Sequence, residues 1–383
     1  MIKGNTLKIH PASIHQEIFC RLKLFCLIIF FFMGITSVLF SQVTVPENRY
    51  YHFEGTAGQK NYMVLDLQKF SDSIYGTYYH QSDGQLHYFA GKLNSPVRFV
   101  AIEKNGDSLD GEFISIHKMK GYFSSIKGSS KSSLLFSESD YFGSMTFESF
   151  RYTFTYNFAD KPLFPKYLVD LMLLYPEGHP NQTVQDSVQD YILGYYFGQT
   201  ILFNSRDKML SFLSNNYYQN YSAHYKTNAF DYRSSLLKWS AEQDIQILFN
   251  ENFVLTMCIR QNISNWNDDP GWDKIYLVFN LKTGQRITPA DIFTSGYQEK
   301  LKNLLTAQLQ KQFNISTTLQ AEGFYKSSVT KYDNIYVTRE GVGFHYNPGE
   351  LAPAIFGEID LFFKFDELKE ILLTKGLIYT LVQ

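Results

Sequence analysis

The segment Asn265–Lys274, NWNDDPGWDK, concentrates the chain's best material for recognition. Two indoles, Trp266 and Trp272, flank Asp268, Asp269 and a Pro-Gly turn. Indole faces stack on sugar rings or fill a partner's pocket, and carboxylates accept hydrogen bonds from hydroxyls and basic groups. The same composition also builds an ordinary surface hairpin, with tryptophans anchored on their own domain and aspartates left in water. A calcium loop is a third reading, but the carboxylates lack its regular spacing. Trp266, Asp268, Asp269 and Trp272 are therefore the candidate binding residues, and no catalytic residue or metal ligand is assigned.

Other reactive side chains carry less. In FHYNPGELAP, Phe344–Pro353, His345 or Glu350 could serve as a general base. However, His345 lies inside the alternating run GVGFHY, and no nucleophile is tied to it by a known spacing. Two prolines and Gly349 make the segment a corner between strands. His80 and His87 flank the hairpin turn QSDGQL and could approach each other, but no third zinc ligand presents itself. Cys258, in FVLTMCIRQ, reads as a small packed apolar residue. The tyrosine-rich NNYYQNYSAHY, Asn215–Tyr225, reads as a half-buried packing face. Without GxSxG, P-loop or GxGxxG motifs, no cofactor is expected.

These residues need elements to hold them. Residues 48–148 form short aromatic runs (RYYHFEGT, NYMVLDL, SIYGTYYH, LHYFAGKL, VRFVAIE, DGEFISIH, GYFSSI) separated by turn signals, as in an all-β meander closing into a barrel or sandwich. Gly76, Gly91, Gly111 and Gly121 recur at related places, where a strand bends or a ring lies over the backbone. KGSSKSS, Lys127–Ser133, reads as a polar loop or hairpin tip. Residues 150–383 read as a mixed strand-helix domain, an antiparallel sheet packed by helices, making the whole α+β. Val184, Val188, Tyr191, Ile192 and Tyr195 share one helical face. Strands DIQILFN and FVLTMCIRQ pair through a turn at Asn250–Asn252. Thr288 caps a helical turn with Pro289 at its first position. Leu301, Leu304, Leu305, Leu309 and Phe313 stripe a further helix. Ile359, Leu361, Phe363 and Phe365 alternate in a last strand, and Asp366 is placed to cap a short closing helix.

Composition and charge limit the partners. The chain has 383 residues, with 44% hydrophobic and 17% aromatic content, enough to bury several cores. A net charge of −2 with mixed signs removes the electrostatic basis for nucleic-acid binding. Lys3, Lys8, Arg21 and Lys23 precede the apolar run Leu24–Phe40, and polarity rises at Ser41. Residues 1–41 therefore read as a secretory signal peptide. An uncleaved anchor is the alternative, and would be the chain's one link to a membrane. The expected location is exported: periplasmic, envelope-associated or secreted. Cleavage would remove four basic residues and one acidic, leaving a more acidic protein.

From YLVFNLKTGQRITPADIF to GVGFHYNPGELAPAIFGEIDLFFKFDELKEIL, the chain resembles the C-terminal domain of the lysozyme-sensing anti-sigma factor RsiV. The same domain accompanies PdaC-type peptidoglycan deacetylases. The resemblance spans roughly residues 150–375, and its most specific part is Asn347–Pro353 with Gly357. The N-terminal domain is similar to meander domains that precede this unit in secreted Bacteroidota-like proteins. Three departures matter: no TFDD or paired metal-binding histidines of a deacetylase appear, about twenty residues precede the apolar run where an anti-sigma segment would sit, and NWNDDPGWDK replaces the family's glycine–alanine–histidine loop. The resemblance implies an exported, non-enzymatic binding protein with lysozyme-like proteins or peptidoglycan fragments as partners. A glycan hydrolase or esterase using the loop carboxylates and an envelope assembly module are the alternatives. On this reading the polar side chains shape surfaces and corners instead of converging on a reacting atom.

Overall fold

The computed structural model describes residues 43–382 except 59–60, 83–84, 104, 127–130, 140–142, 158–165, 198–205, 228–238 and 265–270. The short aromatic runs become eight strands: β1 Asn48–Ala57, β2 Asn61–Phe70, β3 Ser73–His80, β4 His87–Ser95, β5 Arg98–Glu103, β6 Ser108–Ser115, β7 Lys118–Ser124 and β8 Lys131–Glu138. Each pairs antiparallel with the next, and β8 returns to β1 through Gly55↔Phe136 to close a barrel. Alternation sends one side chain in two inward. Phe99 and Ala101 of β5 are buried, whereas Val100 and Ile102 between them are exposed. Tyr51, Phe53, Phe99, Phe113, Met119 and Phe136 fill the interior, so the barrel is a packed core. Gly111 makes room for this filling, because a Cβ there would lie 2.3 Å from the Phe99 ring. The polar loop expected at Lys127–Ser133 is corrected in part. Lys131–Ser133 open strand β8, where backbone pairing with β7 outweighs the serine composition, while 127–130 lie outside the described residues.

The chain leaves the barrel at Glu138 and enters a six-stranded sheet at Thr146. Its strands are β9 Thr146–Tyr156, β10 Tyr167–Glu177, β11 Trp239–Glu251, β12 Val254–Ser264, β13 Asp273–Asn280 and β14 Gln285–Arg286, in spatial order β14-β13-β12-β11-β10-β9. The sheet is mixed, not antiparallel throughout, since β10 and β11 run parallel. A parallel pair needs a long crossover. Helices α1 Gln182–Phe197 and α2 Arg206–Thr227 supply it. Val184, Val188 and Ile192 of α1 are buried, while Tyr191, expected on the same face, is exposed. Tyr217 and Tyr221 of α2 pack against Tyr167, and Tyr218 stays exposed. β11 and β12 join at Asn252 and Phe253, both with positive φ (53° and 64°), the backbone of a two-residue type I′ hairpin. Among the described residues, no helix is long and apolar enough to cross a membrane.

A third layer holds β15 Ile335–Val337, β16 Gly341–Tyr346 and β17 Ile359–Lys364, with helices α3 Pro289–Ile292, α4 Gln298–Gln312 and α5 Phe365–Leu368. Leu301, Leu305 and Leu309 bury the α4 stripe in its core. The Asp291 carboxylate accepts the Thr288 backbone N–H at 2.8 Å, closing the expected helix start. Asp366 does not cap α5. Glu367 accepts the Lys364 backbone N–H at 2.8 Å, because Phe365 already sits in the first turn.

Barrel and sheet meet along β2, β3 and β11. β2 and β3 are buried on both faces, unlike β4–β7. β11 bulges between Ile247 and Phe249, which disturbs its ladder. Gln68 spans the seam: its amide donates to the Ile245 carbonyl and accepts the Ile247 N–H at 3.3 Å. Thr77 donates to the Ile247 carbonyl at 3.1 Å. Orphaned backbone groups are costly when buried, so these side chains hold the barrel in one register on the sheet.

Candidate functional site

A cleft of about 390 Å³ opens beside this seam. Its floor comes from three neighbouring strands. Asp244, Arg260 and Lys274 stand in one transverse row of β11, β12 and β13, and Gln246, Cys258 and Tyr276 in the next row. The strand period of two puts both rows on one face. Barrel residues His87, Tyr88 and Glu103 form one wall, and Glu358 and Asp360 at the start of β17 form another.

The ionisable groups are paired. Arg260 donates from Nε and Nη2 to the two Asp244 oxygens at 2.7 and 2.6 Å. Burial pushes the Asp244 carboxyl up, and the guanidinium opposes that push. Burial disfavours the Arg260 charge as well, yet Asp244 outweighs it and raises the pKa. Lys274 Nζ lies 2.5 Å from Glu358, and His87 Nδ1 lies 3.2 Å from Glu103. Glu103 also accepts from the Tyr78 hydroxyl. Burial pushes the Cys258 thiol up to about 12, which keeps it protonated and a poor nucleophile.

His345 and Asn347 support this floor from behind. His345 is buried, with Nδ1 2.9 Å from Asp360 and Nε2 3.1 Å from the Asn347 amide oxygen. Asn347 accepts the Lys274 backbone N–H at 2.7 Å and donates to its carbonyl at 3.1 Å. Asn334 does the same work one step along, accepting the Tyr276 N–H at 2.8 Å. The corner segment therefore satisfies the outer edge of β13. Gly349 turns it with φ 87°, and Glu350 is held by Lys331 at 2.9 Å.

Of the candidate binding residues, Trp266, Asp268 and Asp269 lie outside the described residues. Trp272 is half-buried, with the Arg260 guanidinium 5.0 Å from its ring centroid. The foot of NWNDDPGWDK thus reaches the cleft at Lys274, with Trp272 against the Arg260 guanidinium. His80 and His87 do approach, with ring centroids 6.3 Å apart, but His87 turns to Glu103. No group of three metal-ligating side chains is found among the described residues. Arg260, Lys274, Glu103, Glu358 and Asp360, far apart in sequence, meet in this cleft. Their sequence signal was a polar pair two residues apart, or one polar residue, inside otherwise apolar strands. It becomes legible only once the strand register is known.

Residues 290–366 match the family described as "Protein of unknown function (DUF3298)". DUF3298 is the domain found in RsiV/PdaC-like proteins. A crystal structure of a DUF3298 family member from Bacteroides fragilis shares the fold, with TM-score 0.55 and 18% identity over 63% of this chain and 99% of that one. A DUF3298 family protein from Pseudomonas aeruginosa is more distant, with TM-score 0.40 and 12% identity over 61% and 96% of the two chains. No curated protein matches. The matched segment holds α4 and β15–β17, and so supplies Glu358 and Asp360 to the cleft and His345 and Asn347 behind it.

Proposed function

We propose that this protein is an exported, non-enzymatic binding protein of the cell envelope, and that the cleft between barrel and sheet holds a peptidoglycan fragment. The observation that carries this reading is a cleft with charges of both signs already paired with protein groups. Arg260 and Lys274 stand beside Glu103, Glu358 and Asp360. Such walls suit a ligand that carries both carboxylates and ammonium groups, as wall peptides on amino sugars do. Among the described residues these charges are held in pairs, and burial keeps the Cys258 thiol protonated, which supports recognition over chemistry. A volume of about 390 Å³ accommodates a small glycopeptide. The basic-flanked apolar run at Leu24–Phe40 supports export.

Titration calorimetry of soluble muropeptides into the purified protein tests the reading. Saturable binding is expected, weakened on the order of tenfold in Lys274→Met or Asp360→Asn and less in Trp272→Ala. A low-salt pull-down with lysozyme runs beside it. Lysozyme capture without muropeptide affinity would move the ligand from wall fragment to protein, and binding of neither would end the envelope-binding reading.

A further inference from the structure

With β2 and β3 pressed on the sheet, the outward side of β5–β8 faces solvent. Ile102, Tyr122, Ile126 and Leu135 there are each more than half exposed, and Val100 joins them. Register makes them neighbours. Val100 and Ile102 stand two apart on β5, and Tyr122 shares the row of Val100 with Asp110 between them. Leu135 lies opposite Lys120, diagonal to Tyr122. Ile126 covers the β5–β6 turn: a Cβ on Gly106 would come within 2.9 Å of its Cδ1, and its N–H donates to Asp107 at 2.8 Å. Exposed apolar side chains are ordinary when scattered, but a contiguous set on one face marks an interaction surface.

Charge is the second observation. Outward positions of β4–β8 hold Lys92, Arg98, Lys118, Lys120 and Lys131 against Asp110 and Glu112. Glu112 is shared, 3.5 Å from Arg98 and 3.7 Å from Lys120, and pairs this exposed are weak. The face is therefore basic in a chain whose net charge is −2. A second copy would set the same basic excess against itself, and two convex barrels touch only along a line. A protein partner's anchor needs a pocket, whereas Ser108, Asp110 and Ser133 separate the apolar tips here. A bilayer interface is fluid, accepts apolar tips singly, and attracts lysines through anionic headgroups.

We propose that the outward face of β5–β8 docks this protein on an anionic lipid surface. Ile102, Tyr122, Ile126 and Leu135 enter the headgroup layer, and Lys118, Lys120 and Lys131 lie against lipid phosphates.

The test is co-sedimentation with vesicles of phosphatidylcholine and phosphatidylglycerol in equal parts, beside vesicles of phosphatidylcholine alone. The chain from Gln42 onward is used, so that the apolar run Leu24–Phe40 contributes nothing. The hydrophobic cores of the described residues are all built after Thr44 and stay complete without it. Partition onto the anionic vesicles is expected, on the order of tenfold weaker on the neutral ones. Ile102→Thr with Ile126→Thr should weaken it on the order of tenfold. Lys118→Gln with Lys131→Gln should weaken it by a similar factor, and that difference should fade at high salt. All four positions are exposed, so unfolding temperatures should hold, and either pair alone suffices should the other misfold. Ile355→Thr, at a 92% exposed position in the tail, should change nothing. Absent or equal partition onto the two vesicle types, or the same loss in Ile355→Thr, would overturn the assignment. A lipid-free dimer in sedimentation velocity, dissolved by Ile102→Thr with Ile126→Thr, would give the face to a second copy instead.

Discussion

Replacing Arg260 with methionine isolates the energetics of the cleft floor. The Asp244 side chain is 0% exposed and Arg260 28%, and the pair is joined by two short charge-assisted bonds. Deleting one partner of a buried pair strands the other, at a cost of about 3–5 kcal/mol. The partial exposure of Arg260 puts Arg260→Met near the lower end, about 3 kcal/mol, or a fall of about 4 °C in unfolding temperature for a chain of this length. Asp244→Leu combined with Arg260→Met strands nothing, and should cost no more than about 1 kcal/mol. The sign with pH follows from burial. A carboxyl whose folded pKa is raised contributes stability that is present at low pH and lost as pH rises through that pKa. Removing Arg260 takes away the opposing charge and raises the Asp244 carboxyl further, so the penalty of Arg260→Met should shrink as pH falls from 7 toward 5. The assay is urea unfolding of wild type, both single variants and the double variant across that range. Single variants costing under about 1 kcal/mol, or a double variant costing the sum of the singles, would refute the pairing argument.

Two further outcomes test the seam between barrel and sheet. Gln68→Ala orphans the Ile245 carbonyl and the Ile247 N–H on the bulged strand β11, and should cost about 1–3 kcal/mol in urea unfolding. His52 sits in the same seam, with Nδ1 2.7 Å from Asp66. Burial alone would lower its pKa, but Asp66 first, then Glu251 and Glu54, raise it above 6.5 overall. A histidine raised in the fold stabilises fully below its unfolded pKa and loses that contribution as pH rises through the folded one. Unfolding temperature should therefore decline as pH rises above about 6.5, and that decline should flatten in His52→Gln.

The barrel was legible because its strands alternate over short runs between strong turn signals, as in Arg98–Glu103. Strand β8 was hidden because its first three residues are Lys131, Ser132 and Ser133, which look like loop until their pairing partners are known. The Leu301–Leu309 stripe and the Thr288 cap are local signals, and local signals survive into the fold. Asp366 misled because a cap depends on where the turn starts, and the backbone placed that start at Lys364. The parallel pairing of β10 and β11 could not be read from either strand, since direction is set by the helical crossover between them. The cleft was invisible for a related reason. Asp244, Arg260 and Lys274 are separate in sequence, and only the register of three strands makes them neighbours.

The cleft draws its floor from the six-stranded sheet, one wall from the barrel and one from the tail that matches DUF3298. No single module owns it, so a chain with the barrel detached or the tail unfolded has no receptor to offer. Occupancy must then favour the assembled arrangement by mass action, about 2.7 kcal/mol at a hundredfold excess over Kd. Proteolytic nicking between the modules should slow when the ligand is present, which makes cutting rate a gauge of occupancy.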